Sequence, residues 1–329
     1  MKTQVNKIEY QVQESWQRLP EGWDLVEVAG VATDSQDRVY VFNRGEHPVV
    51  VFDRDGRFLT SWGEGTFVRA HGIHIGDDDS VYCTDDLDHS VRKFTTDGEL
   101  LLTLGVSGQA SDTGVADRDY RTIRAAAGPF NQPTNLAISP TGDLYVSDGY
   151  GNARVHRYSA DGRLLHSWGE PGEGPGEFHL PHGIAVDREG TVYVADREND
   201  RVQLFSAEGK YLTEWNDLER PAEIFIDSQD RAYVAEIGWR AGLFPGDKPP
   251  RPNPVGGRVS VLNLKGELLA RWGGGERPCA PGDFFAPHDI WVDSHGDIYV
   301  GEVTMSAGGN RGVVPPDCHV LQKFVSVGG

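Results

Sequence analysis

Three histidines of the chain stand in one short context. His71 precedes Gly72-Ile73, His182 precedes Gly183-Ile184, and His288 precedes Asp289-Ile290. Long stretches of chain separate them, so they form no local ligand motif. Three imidazole nitrogens brought to one point would suit a catalytic zinc, which takes three protein ligands and leaves a further position for water or substrate. A single histidine before a strand is usually a packing or turn residue, so the proposal depends on the elements that carry all three. Of the other eight, His47, His89, His156 and His166 occupy different repeat positions. His74, His179, His295 and His319 have no repeat partners. His179, three residues before His182, is the competing ligand.

The elements are legible as internal repeats, which should be sought before anything else. Segments from Gly30, Gly72, Leu136, Gly183, Glu223 and Asp289 share one grammar. Each has a short apolar strand, a turn with Asp or Gly, and a second strand such as VYVAD. A third strand such as RVQLF follows, and in the full copies, such as those from Gly72, Leu136 and Gly183, a D-G or E-G turn and a fourth strand ending near Trp-Gly complete it. The strands alternate apolar and polar residues and favour Val, Ile, Tyr and Phe. A four-stranded sheet of this kind cannot cover both faces alone, and radial stacking solves that. The fold class is therefore all-β: a six-bladed β-propeller, whose repeats resemble the NHL family of propeller repeats. Its blades are expected at about 27–63, 71–105, 134–169, 182–215, 222–273 and 288–325, in a single domain over 1–329. The sixth copy lacks a fourth strand, and the N-terminal segment 8–17, with YQVQESW at Tyr10–Trp16, reads like one. It is expected to close the ring and remove an open edge. The Pro-rich insertion Arg240–Gly257 suits neither strand nor helix. It is read as a loop over one face, either a substrate lid or a plain surface loop.

The register of the repeats then places side chains. The residue opening each inner strand is Ala29, His71, Thr134, His182, Ala222 and His288 in blade order. Histidine thus falls on alternate blades, about a third of a turn apart around the channel that inner strands line. A second register closes each second strand: Asn43-Arg44, Asp85-Asp86, Asp148-Gly149-Tyr150, Asp196-Arg197, Glu236-Ile237 and Glu302-Val303. Arg44, Tyr150 and Arg197 are its unusual occupants at the channel rim. Arginine forks suit a carboxylate held bidentately. A tyrosine beside a metal and a cation can serve as a base. The plainer reading is ion pairing, with Arg197 facing Glu198 or Asp196.

Composition narrows the classes. The 329 residues are 38% hydrophobic and 25% charged, enough for a packed core and too balanced for disorder. Forty-one glycines fit many tight turns. A net charge of −19 argues against nucleic acid as a partner. No stretch is long and apolar enough for a membrane helix. The N-terminus shows no apolar signal region. Cys83, Cys279 and Cys318, sparse and odd in number, do not read as a disulfide framework. A reducing, cytoplasmic location is expected.

Several motifs carry a family resemblance: NQPTNLAI (Asn131–Ile138), SDGYGNARV (Ser147–Val155), LPHGIAV (Leu180–Val186), VADRENDRVQLF (Val194–Phe205) and APHDIWV (Ala286–Val292). They resemble the peptidyl-α-hydroxyglycine α-amidating lyases, the lyase domain of peptidylglycine α-amidating enzymes. The resemblance implies a six-bladed propeller that splits an N-acyl-α-hydroxyglycine into a primary amide and glyoxylate. It implies Zn2+ on His71, His182 and His288, Tyr150 as the catalytic tyrosine, and Arg44 and Arg197 as active-site arginines that bind substrate. It implies a structural Ca2+ held by Asp289 with backbone near Ile73. The partner would be a small-molecule or short peptide-like α-hydroxyglycine amide, with no nucleic acid and no membrane. The family's cysteines beside QPT and after DGY are replaced by Asn131 and Gly151, and no hydroxylating copper domain is present, which puts a peptide-hormone substrate in doubt. Two other readings stay open: a non-enzymatic NHL-repeat interaction scaffold, or a metal-dependent lactonase-type hydrolase. The first predicts a channel without metal ligands. The second predicts oxygen ligands rather than imidazoles.

Overall fold

A computed structural model describes residues 9–241 and 254–327. Most of the segment expected to be a lid or surface loop, 242–253, lies outside them. Six four-stranded antiparallel sheets follow one another along the chain. Their inner strands are Val28–Thr33, Ala70–Ile75, Pro133–Ile138, Pro181–Val186, Pro221–Ile226 and Pro287–Val292. The sixth sheet runs from Pro287–Val292 through Ile298–Glu302 and Leu321–Ser326 to Tyr10–Gln13. Tyr10 pairs with Ser326 and Gln13 with Lys323, so the N-terminal strand closes the ring as the repeat count requires. Consecutive inner strands touch around the circle, including the first against the sixth.

Burial departs from the alternation expected of a half-exposed sheet. Second strands such as Val192–Asp196 are buried at every position. Outer strands such as Tyr211–Trp215 are the least covered: they expose the adjacent Leu212 and Thr213 and bury Trp215. A neighbouring blade covers each face of the inner strands, so side chains pointing either way are enclosed. Two local devices recur. Asp34, Asp187, Asp227 and Asp293 each accept backbone N–H bonds from the next turn and the hydroxyl of the tyrosine six residues on. Gly98, at φ +85°, lies flat under Trp62 of the preceding blade, where a Cβ would come within 2.8 Å of the indole.

The cysteines correct the sequence reading. Cys279 and Cys318 form a disulfide across a separation of 39 residues, and Cys83 is free and buried. The bond ties the segment before the sixth inner strand to the long connection between Glu302 and Leu321, which carries the short helix Thr304–Ala307. The connection folds back beside Phe285 and Ala286, a proximity that cysteine count and spacing do not show. The inference of a reducing compartment loses its cysteine support.

Candidate active site

The histidines owe their aim to a bulge. Pairing between inner and second strand slips at the same place in all six blades: between Val28 and Gly30, Ala70 and Ile73, Pro133 and Asn135, Pro181 and Ile184, Pro221 and Glu223, and Pro287 and Asp289. The second residue of each inner strand, the one the repeat register singles out, therefore sits on the bulge, a feature that re-aims a side chain out of the regular pleat. On alternate blades that residue is His71, His182 or His288, and one ligand atom from each lies within 4.8 Å of the others. All three side chains are buried.

The odd blades complete the arrangement. Nδ1 of His71 donates to the carbonyl of Thr134 at 2.6 Å, that of His182 to Ala222 at 2.7 Å, and that of His288 to Ala29 at 2.8 Å. Each non-histidine opener thus supplies the carbonyl that orients its neighbour's ring. A ring that donates from Nδ1 presents the lone pair of Nε2, the usual outer arrangement of a metal-binding imidazole. Burial first, then neighbouring imidazoles and arginines at His71 and His182 and arginines alone at His288, hold all three pKa values well below the ordinary 6.5. Neutral imidazole is the form that binds metal. Nε2 of His288 is buried with no hydrogen-bond partner, a state rare enough in proteins to need a cause. The donor set fits a divalent transition ion.

Tyr150 reaches this group from the third blade. Its hydroxyl is 3.2 Å from Nε2 of His71, 3.1 Å from Nε2 of His182 and 3.3 Å from Nη1 of Arg197. Arg197 is buried, and its Nε donates to Glu198 at 3.0 Å. The ion pair expected as the plainer reading is therefore real, and Tyr150 contact accompanies it. Glu198 also accepts from Arg220, at 2.7 Å from Nη2. Nη2 of Arg197 is buried without a partner. The second register explains this placement. Its leading acids, such as Asp85, Asp148 and Glu302, accept backbone N–H bonds from the segment entering the inner strand. That structural duty turns the following residue toward the channel mouth.

Arg44 donates from Nε to the carbonyl of Ala70 at 2.8 Å and from Nη1 to Glu27 and Ser306 at 3.2 Å. Ser306 lies in the connection that the disulfide holds. Sequence reasoning missed Arg69 and Arg118. Arg69, two residues before His71, grips Asp86 with two guanidinium nitrogens, and its Cζ is 5.7 Å from the centroid of the Tyr150 ring. Arg118 lies 3.9 Å from the same carboxylate. It is carried by residues 106–132, a connection that packs Tyr120 and Ile123 against Tyr150. The length of that connection was the available signal. Glu27, Glu198 and Arg220 gave none beyond being charged.

One residue further along the inner strands, a second polar layer crosses the axis. Oδ2 of Asp289 accepts from Val31 N at 3.0 Å, and Oε1 of Glu223 accepts from Ile224 N at 3.0 Å. Asn135 bonds Glu223 through its side-chain amide. Burial pushes Glu223 up to about 8, and burial followed by the Glu223 charge raises Asp289 well above the carboxylate range. Neither carboxylate pairs with Lys or Arg among the described residues. His179 does not join the triad: its ring packs on Tyr120 and stands 3.9 Å from Glu173. Asn131 and Gly151, which replace the family's cysteines, abut each other, with Gly151 N donating to the Asn131 carbonyl at 3.0 Å.

Comparison with known proteins agrees with this picture. The NHL repeat family matches at residues 130–158 and 178–205. The chain is 33% identical over 225 residues to NHL repeat-containing protein 3 of Homo sapiens, covering 64% of this chain and 61% of that one. It is 30% identical over 268 residues to peptidyl-alpha-hydroxyglycine alpha-amidating lyase 1 of Drosophila melanogaster, covering 75% and 45%. It is 29% identical over 311 residues to peptidylglycine alpha-amidating monooxygenase of Rattus norvegicus, covering 84% and 29%. The chain thus spans less than two thirds of the length of these relatives. Among solved structures, a gluconolactonase from Xanthomonas campestris superposes with TM-score 0.61 at 12% identity, covering 92% of this chain and 87% of that one. A streptogramin B lyase gives 0.59 at 12% identity, covering 98% and 99%. Those two likenesses speak to the fold alone. The chain is a six-bladed propeller with NHL repeats, and the resemblance to amidating lyases read from its motifs holds over most of its length.

Proposed function

We propose that this chain, one propeller domain over 1–329, is a metal-dependent carbon–nitrogen lyase. It cleaves an N-acyl-α-hydroxyglycine or close relative to an amide and glyoxylate. The observation carrying this reading is the convergence of three neutral imidazoles at one point, two of them within hydrogen-bond reach of a tyrosine hydroxyl backed by a buried arginine. His71, His182 and His288 would hold Zn2+ or another divalent transition ion. Such an ion lowers the pKa of a hydroxyl placed on it and stabilises developing negative charge.

The chain's own residues do the rest. Tyr150, acting as the phenolate, takes the proton of the substrate hydroxyl. The oxygen's electron pair forms the aldehyde carbonyl as the C–N bond breaks, and the bonding pair leaves with nitrogen. An amide nitrogen departs poorly as an anion, so the proton returns to it from Tyr150 or water. Arg197 steadies the tyrosine oxygen, and its unpartnered Nη2 has hydrogen-bonding capacity for a substrate oxygen. Arg44, already fixed by Ala70 and Glu27, clamps the substrate carboxylate. The Asn135, Glu223 and Asp289 layer would hold a structural Ca2+, with Asp289 and backbone near Ile73 as the first contacts. Oxygen donors suit that hard ion, and its charge would offset two buried carboxylates.

A calcium-dependent lactonase would draw on that same oxygen layer, whereas the imidazoles favour the lyase. A scaffold would need neither. No helix among the described residues is long and apolar enough to cross a membrane. The Cys279–Cys318 bond favours an oxidising compartment over the cytoplasm. The test of the reaction is glyoxylate release from N-benzoyl-α-hydroxyglycine by zinc-loaded protein. Release above the metal-free background supports the reading. Metal bound without release would leave a metalloprotein that is not this lyase.

A further inference from the structure

Tyr150, on the third blade, is flanked by arginines from the blades on either side. Arg197, on the fourth, places its Cζ 5.4 Å from the ring centroid, and Arg69, entering the second, places its Cζ at 5.7 Å. The lyase reading gives work to Arg197 and Arg44 and none to Arg69. The arginines around the mouth each meet a carboxylate. Glu27 stands against Arg44. Glu198 serves both Arg197 and Arg220, with Asp200 adding its charge near Arg220. Arg69 and Arg118 both face the carboxylate of Asp86, and Arg118 also donates from Nε to Gln132 at 3.3 Å.

We propose that Arg69 and Arg118, gathered around Asp86, form a second anion subsite beside Tyr150, and that the acyl part of the substrate carries a carboxylate. The identity of the reacting group rests on the lyase reading; the subsite does not. Arg69 commits Nε and Nη2 to Asp86, and its Nη1 makes no hydrogen bond among the described residues. Its side chain is 22% exposed and that of Arg118 36%, so both guanidinium groups remain within reach of a ligand. Burial and the Arg69 charge both work against the charge on Arg118, and an anion bound between the two groups relieves that repulsion. A guanidinium fork with a free nitrogen favours a planar carboxylate over a neutral amide. The favoured substrate is then a dianion, with one carboxylate on the glycine carbon for Arg44 and another on a short acyl chain for the new subsite.

The test compares N-succinyl-α-hydroxyglycine with N-butyryl-α-hydroxyglycine, which differ in the terminal carboxylate, on the zinc-loaded full chain. The expected result is a kcat/KM preference for the succinyl compound of about tenfold or more. Arg118→Gln should shrink that ratio toward unity, and Arg118→Lys should restore part of it. Calorimetry with the product amides succinamate and butyramide reads the subsite without catalysis. Succinamate should bind more tightly, and Arg118→Gln should remove the difference. Equal kcat/KM and equal affinity for the two members of each pair would overturn the proposal and leave Arg69 and Asp86 as a structural ion pair. If neither substrate yields glyoxylate but succinamate still binds in an Arg118-dependent way, the lyase reading fails and the subsite stands.

Discussion

Removing one oxygen atom separates the proposed base from the metal ligands. Tyr150→Phe keeps the ring that packs on Tyr120, Ile123 and Leu180. It deletes the hydroxyl that lies 3.1–3.3 Å from His182, His71 and Arg197. The three imidazoles keep their Nδ1 bonds to Thr134, Ala222 and Ala29, so metal content should stay at the wild-type level. The lost hydrogen bonding should cost roughly 1 kcal/mol of stability, a shift too small to unfold the domain. Proton transfer by a positioned side chain typically contributes about 10²–10⁴-fold, or about 3–5 kcal/mol of barrier at 1.36 kcal/mol per decade. Glyoxylate release should fall by that factor in kcat, with zinc per chain unchanged by elemental analysis. Zinc lost in proportion to activity would make Tyr150 a ligand-side residue. An unchanged kcat would remove it from the reaction.

Three further outcomes follow from contacts already described. Glu198→Gln leaves Arg197 and Arg220 buried against a neutral amide, which should cost about 3–5 kcal/mol as a broken buried ion pair; thermal unfolding should shift down and kcat fall while zinc remains bound, and an unchanged Tm would refute the pairing. The histidine pKa values lie below their unfolded value of 6.5, so the unfolded chain binds more protons and metal-free protein should lose stability as pH falls through about 6.5. Denaturant titration of apo His288→Asn should show a shallower loss than wild type between about pH 7 and 5, and an equal or steeper loss would contradict the burial argument. Cys279→Ser should destabilise by at most about 4 kcal/mol, the loop-entropy value for a separation of 39 residues. Glyoxylate assays on that variant should also show a raised KM, because Ser306 of the tethered connection supports Arg44; a KM and Tm equal to wild type would free both from the bond.

The repeat made unusual parts of this molecule readable. Six copies fixed the blade count, and the missing fourth strand of the last copy pointed to the N-terminal segment 8–17, of which Tyr10–Gln13 forms the strand. The positions of His71, His182 and His288 followed from register alone, although no two are near in the chain. What register could not show was the bulge that turns them inward, because it is a property of pairing between strands. The carbonyls of Ala29, Thr134 and Ala222 were equally hidden, since backbone atoms leave no mark in residue type. Alternation failed in the inner strands because both faces are covered there. Arg69 and Arg118 escaped notice for another reason. They lie on connections between blades, where no repeat position calls attention to an occupant. The Cys279–Cys318 pair depends on a connection folding back across the rim, which neither count nor spacing reveals.

The proposed lyase chemistry requires a metal held by three alternate blades. Elemental analysis of purified protein beside His182→Ala, each reconstituted with zinc and freed of excess, tests it most directly. About one transition ion per chain in the wild type and its loss in the variant is the predicted result. No metal in either protein, or equal metal in both, would contradict the axial site and the lyase chemistry built on it.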